Sequence, residues 1–66
     1  MIYIFKTSVD TKLKLELATT RINQLLPMVK WNFDLEDCDN ILRIDSDTDI
    51  CDIIIQNGVF ECVELN

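Results

Sequence analysis

No histidine occurs in the 66 residues, and the chain has a single glycine, Gly58, a single proline, Pro27, and two serines, Ser8 and Ser46. Those shortages exclude a histidine-dependent triad, histidine-ligated metals and glycine-rich phosphate loops. Basic residues are scarce too. Six Lys and Arg against twelve Asp and Glu leave a net charge of −6, which disfavours nucleic acid and anionic membranes as partners. No apolar run approaches the ~18 residues that a membrane-spanning helix requires. Three cysteines, Cys38, Cys51 and Cys62, are an odd number in neither a disulfide framework nor a CxxC pair, so reduced, small hydrophobic thiols are expected. Met1 leads straight into the strand-like run Ile2-Tyr3-Ile4-Phe5. That start lacks the basic n-region and apolar h-region of a signal peptide, and a cytoplasmic protein is expected.

What is present describes one folded domain over residues 1–66. The chain is 48% hydrophobic and 27% charged, a globular balance, and its length suffices for a single core. Residues 2–9 are bulky or β-branched on both alternating sets and read as a first strand with one face fully buried. Asp10 and Thr11 are good N-cap residues, and Leu15, Ala18, Ile22, Leu25 and Leu26 recur at helical spacing. A helix from Thr11 to Leu26 follows, stopped before Pro27. From Val29 the alternation of Val29, Trp31, Phe33 and Leu35 with Lys30, Asn32, Asp34 and Glu36 predicts a half-buried second strand. Asp37 to Asn40 supply a turn, and Ile41 to Asp45 form a third strand. A second helix is expected over Asp47–Asn57, although the run Ile53-Ile54-Ile55 is a poor local helix former. Val59–Leu65 completes the set as a fourth strand. The order β-α-β-β-α-β reads as a ferredoxin-like α+β sandwich, a four-stranded antiparallel sheet with two helices on one face.

Residues in this arrangement resemble the heavy-metal-associated domain of copper chaperones and metal-transporting ATPases, in its short bacterial form. Phe5-Lys6-Thr7-Ser8-Val9 is similar to the strand leading into that family's metal loop. Trp31 to Asp37 with Asn40 to Ile44 resembles the central hairpin, and Asp52 to Phe60 resembles the second helix and the opening of the last strand. The resemblance implies metal transfer by two cysteines of a CxxC loop after the first strand. Those positions fall here on Thr11 and Lys14. A hydroxyl and an ammonium offer no soft ligand, so transfer at this loop is expected to be absent and no cofactor is assigned.

Other candidate sites reduce to simpler readings. Asp45-Ser46-Asp47-Thr48-Asp49 begins like a calcium loop, but Ile50 occupies the glycine position and Gln56 the bidentate Glu position, so capping of the second helix is preferred. Asp34, Glu36, Asp37 and Asp39 crowd one hairpin without a histidine or a metal-ligand set, and read as a solvated edge. Cys38 and Cys51 are expected at opposite ends of the sheet, too far apart to share an ion.

Charge is uneven along the chain. Residues 1–33 carry five cations against two carboxylates, a net of +3, and residues 34–66 carry Arg43 against ten carboxylates, a net of −9. Lys12 and Lys14 sit in the first turn of the first helix, where the dipole disfavours cations. Leu13 and Leu17 lie at the edge of the apolar stripe. Thr11, Lys12, Leu13, Lys14 and Leu17 are therefore the candidate protein-contact surface, facing an acidic partner. Ile2 and Ile4 are expected on the open face of the sheet with Val63 and Leu65, where two copies could form a homodimer. The sequence reads as a non-catalytic domain acting through protein contacts. Its rivals are a soft-metal carrier using Cys38 or Cys62 across a dimer, and a small-molecule binder with a pocket between helix and sheet.

Overall fold

β1 (Ile2–Thr7) lies inside a four-stranded antiparallel sheet completed by β2 (Lys30–Asp34), β3 (Ile41–Asp45) and β4 (Cys62–Glu64), in the order β2-β3-β1-β4. The computed structural model describes residues 1–36 and 38–65. With α1 (Lys12–Leu25) and α2 (Cys51–Ile55) the chain is an α+β domain whose element order is the one read from the sequence.

The register fixes two chemically different faces. Tyr3 is opposite Ile44 and Phe5 opposite Leu42, while Trp31 and Phe33 stand opposite the same pair from β2. Because side chains alternate along a strand, these six residues share a face. It packs against Ala18, Ile22 and Leu26 of the first helical segment and against Ile50, Ile54 and Phe60. Phe5, Ile22, Leu42, Ile44 and Ile54 are fully buried there. Trp31 meets Phe33 edge-on at 5.8 Å, and Phe33 meets Phe60 edge-on at 6.2 Å, the geometry that aromatic quadrupoles favour. Residues on the opposite set, including Ile2, Ile4 and Val63, face away from this core.

α1 starts where its cap permits. Thr11 is extended, and its side chain accepts the Lys14 N–H at 3.1 Å, removing one orphan donor of the first turn. The helix ends at Leu25, two residues before Pro27. Two side-chain bonds hold it in place: Trp31 Nε1 donates to Asn23 Oδ1 at 3.3 Å, and Arg21 Nε donates to the Asn57 carbonyl at 2.9 Å.

The second half of the chain is less regular than its pattern predicts. α2 has five residues, because Ser46 Oγ accepts the Thr48 N–H and donates to the Thr48 carbonyl, keeping residues 46–48 in a turn. Asp49 Oδ1 then accepts the Cys51 N–H at 3.0 Å, and the helix begins there. At its other end the buried Asn57 side chain replaces the backbone. Nδ2 donates to the Ile54 and Phe60 carbonyls, and Oδ1 accepts the N–H groups of Val59 and Phe60. This bracket, with Gly58 at φ +79°, delays β4 to Cys62. β1 similarly stops at Thr7, although Ser8 N–H still donates to the Glu61 carbonyl at 3.0 Å.

Candidate functional site

The turn from β1 into α1 is built by Thr7. Its hydroxyl donates to the Asn40 carbonyl at 2.6 Å and accepts the Val9 N–H at 3.2 Å. Those bonds tie the β1–α1 turn to the loop between β2 and β3, at one end of the sheet. Asn40 takes φ 51° in that loop, a left-handed conformation that Asn adopts more readily than most residues.

Thr11, Lys12, Leu13, Lys14 and Leu17 are all exposed on this turn and the start of α1. Leu13 is 65% exposed and Leu17 is 53% exposed. Four residues apart on a helix, they sit side by side on one face. The structure revises the reading of the lysines. Lys14 Nζ lies 3.0 Å from Asp10 Oδ1, so the pair at i, i+4 supplies a local reason for this cation. That hydrogen bond, with coulombic attraction behind it, holds the Asp10 carboxyl below its ordinary pKa. Lys12 makes no ion pair among the described residues. The acidic β2–β3 loop is brought beside the β1–α1 turn, and Lys6 pairs with Asp39 at 3.5 Å.

The cysteines occupy three separate environments. Cys38 is exposed in the β2–β3 loop, before β3, and Cys51 follows β3 at the start of α2, so the full length of β3 lies between them. Cys51 Sγ donates to Glu64 Oε2 at 3.1 Å. Desolvation first, then hydrogen bonds and charge from Glu64 and Asp49, push its thiol up to about 12. Cys62 Sγ donates to the Ile54 carbonyl at 3.4 Å, and desolvation pushes its thiol up to about 11. Both thiols are held protonated at neutral pH, the form that neither attacks nor ligates. Among the described residues no group of three cysteine or carboxylate side chains is placed to hold a metal ion.

Tyr3, Asp49, Cys51 and Glu64 form a titratable group that the sequence reading missed. Burial first, then the negative charge around it, raises the Tyr3 phenol. The signal was present as alternation: Tyr3 and Glu64 both fall on the helix-facing set, and Cys51 opens the helix above them. The Cys51–Glu64 hydrogen bond ties the start of α2 to β4.

The layer between helices and sheet is packed with buried apolar side chains. The concavities lie at the margins. One open groove of about 380 Å³ is lined by Met28–Lys30 and Asp45–Thr48. Another, of about 560 Å³, runs along Ile55, Gly58–Cys62 and Ser8. The carboxylates of the former do not converge as a calcium loop would; Ser46 and Asp49 are used to shape the turn and start α2.

No family model, curated protein or solved structure matches this chain.

Proposed function

We propose that this chain is a non-catalytic protein-contact domain, a ferredoxin-like sandwich of heavy-metal-associated type without the thiol pair of that family. The element order and the strand order β2-β3-β1-β4 support the ferredoxin-like reading. The position where the family carries its metal-loop cysteines is here a capping hydroxyl and a lysine bound to Asp10. Loss of soft ligands removes the transfer chemistry and leaves the docking surface around it.

The observation that carries the reading is the exposed pair Leu13 and Leu17 beside Lys12. Burying two leucines contributes about 1.5–3 kcal/mol each at full burial. A cation at the rim selects orientation and raises the encounter rate more than it adds affinity. The occupant is a partner protein that offers an apolar cleft edged by carboxylates. Of the two cysteines a soft-metal carrier would use, Cys62 has its thiol raised by desolvation, which weighs against it as a ligand, since ligation requires deprotonation.

Photo-crosslinking tests this. A benzophenone side chain placed at Leu13 or Leu17 in the source cells should yield one discrete adduct, absent when the same group is placed at Gln24. Lys12→Glu should reduce the adduct several-fold, and 0.5 M salt should do the same in extracts. Equal labelling from all three positions, or indifference to Lys12→Glu, would remove the basis for this surface.

A further inference from the structure

Asn57 and Gly58 are the one place where an asparagine precedes a glycine, since Gly58 is the chain's only glycine. That dipeptide carries its own reaction. The Gly58 backbone nitrogen can attack the Asn57 side-chain carbon, and Gly58 has no side chain to hinder the approach or restrict the backbone that permits it. The new C–N bond closes a cyclic imide, the bond from that carbon to Nδ2 breaks, and the Gly58 proton leaves with the amide nitrogen as ammonia. Water then opens the imide at either carbonyl. The product is an ordinary aspartyl residue, or an isoaspartyl one whose main chain runs through the former side chain.

The fold opposes each step. Nδ2, the leaving group, donates to the Ile54 carbonyl at 2.6 Å and the Phe60 carbonyl at 2.9 Å, while Oδ1 accepts the Val59 N–H at 2.7 Å and the Phe60 N–H at 2.9 Å. Turning the amide toward the Gly58 nitrogen disrupts these bonds, and burial of Asn57 keeps out the water that removes the proton and opens the imide. Arg21 Nε also holds the Asn57 carbonyl at 2.9 Å. That carbonyl shares a rigid plane with the Gly58 N–H, so the nucleophile is fixed along with it. The segment around this joint is the kind that opens first. β4 has three residues and lies at the sheet edge, and α2 has five; short elements at a margin open locally before the core does.

We propose that Asn57–Gly58 is a covalent modification site, a self-deamidating joint that the native bracket and Arg21 hold silent and that local opening of the α2–β4 segment sets off. The change does not reverse. An aspartyl carboxylate in the bracket has no proton to offer the Ile54 and Phe60 carbonyls, and a buried charge without partners is costly. An isoaspartyl link adds a carbon to the main chain between the bracket and β4. Reclosure is weakened in both products, so each modified chain opens more readily than its parent. The joint is a chemical record of past openings.

Peptide mass mapping of the chain incubated at pH 8, in buffer and in 6 M guanidinium, tests the proposal, with isoaspartate read by enzymatic methyl transfer. In guanidinium Asn57 should convert ahead of Asn23, Asn32 and Asn40, and Gly58→Ala should slow it several-fold. In buffer the same conversion should be at least about tenfold slower, because it waits on local opening. Arg21→Met should raise the rate in buffer several-fold while circular dichroism shows it folded, with Arg21→Gln in its place if the first variant does not fold. The purified converted chain should unfold at a lower guanidinium concentration than the parent. Equal Asn57 rates in buffer and guanidinium overturn the proposal, as does earlier conversion at another asparagine. A rate in guanidinium unchanged by Gly58→Ala, a folded Arg21 variant that converts no faster than the parent, or a converted chain as stable as the parent overturns it too.

Discussion

Asn57 brackets Phe60 from both sides: its Oδ1 accepts the Phe60 N–H at 2.9 Å and its Nδ2 donates to the Phe60 carbonyl at the same distance. The amide sits 1% exposed, so none of these bonds has water as a substitute. Asn57→Ala should cost roughly 2–3 kcal/mol, because buried backbone groups lose their partners. Asn57→Asp should cost about as much at neutral pH, since it keeps the acceptor but turns an oxygen toward two carbonyls. Part of that loss should return in acid, where the protonated carboxyl can donate. Urea denaturation at two pH values checks both.

How far the sequence foretold this arrangement differs between the two halves. Ile41–Asp45 alternates with a fully buried helix-facing set and is recovered residue for residue, and Thr11 and Pro27 bound α1 closely. Both segments obey one periodicity, with packing in agreement. Asp47–Asn57 does not. There Ser46, Asp49 and Asn57 can all bond backbone groups through side chains, and that competition shortens the helix to Cys51–Ile55. Short polar side chains near a helix end are ambiguous in sequence, because a cap and a turn use the same residue types. The exposure of Leu13 and Leu17 was legible from their offset to the stripe. The Asp10–Lys14 bond was not drawn from the sequence, although its i, i+4 spacing was visible.

The Asp10 pairing has a measurable acid signature. Its carboxyl is held low in the folded chain by the Lys14 hydrogen bond. A lowered carboxylate pKa adds stability that is full above the unfolded value and fades as pH falls through the folded one. Carbon-detected NMR titration should therefore show Asp10 titrating below an ordinary Asp, and Lys14→Gln should return it toward that range. An unchanged titration in the variant would show the bond to be absent in solution.

Thiol reactivity should rank by position. Cys38 is exposed, whereas Cys51 and Cys62 are partly buried with thiols raised to about 12 and about 11. Iodoacetamide at pH 8 should label Cys38 first, with the others at least tenfold slower, read by peptide mass mapping. Glu64→Gln removes a charge that opposes the thiolate, so Cys51 should titrate at lower pH in that variant. Thiolate absorbance followed from pH 8 to 12 measures the change.

Core and contact positions should separate cleanly in stability. Ile44 is fully buried in the core, and Ile44→Ala should cost about 2–5 kcal/mol. Leu13→Ala and Leu17→Ala should change stability by no more than about 0.5 kcal/mol. Equilibrium unfolding of the three variants makes the comparison. A large cost at Leu13 would mean that the strip belongs to the core and is not free for a partner.

Trp31 is the chain's one indole, wedged edge-on to Phe33 and bonded to Asn23, so the molecule carries a built-in optical gauge. Its emission should shift to the red when α1 lifts from the strands. It should stay unchanged when something settles on the far side of the sheet. Fluorescence can thus distinguish a chain that has opened from one that has merely acquired company, without adding a label.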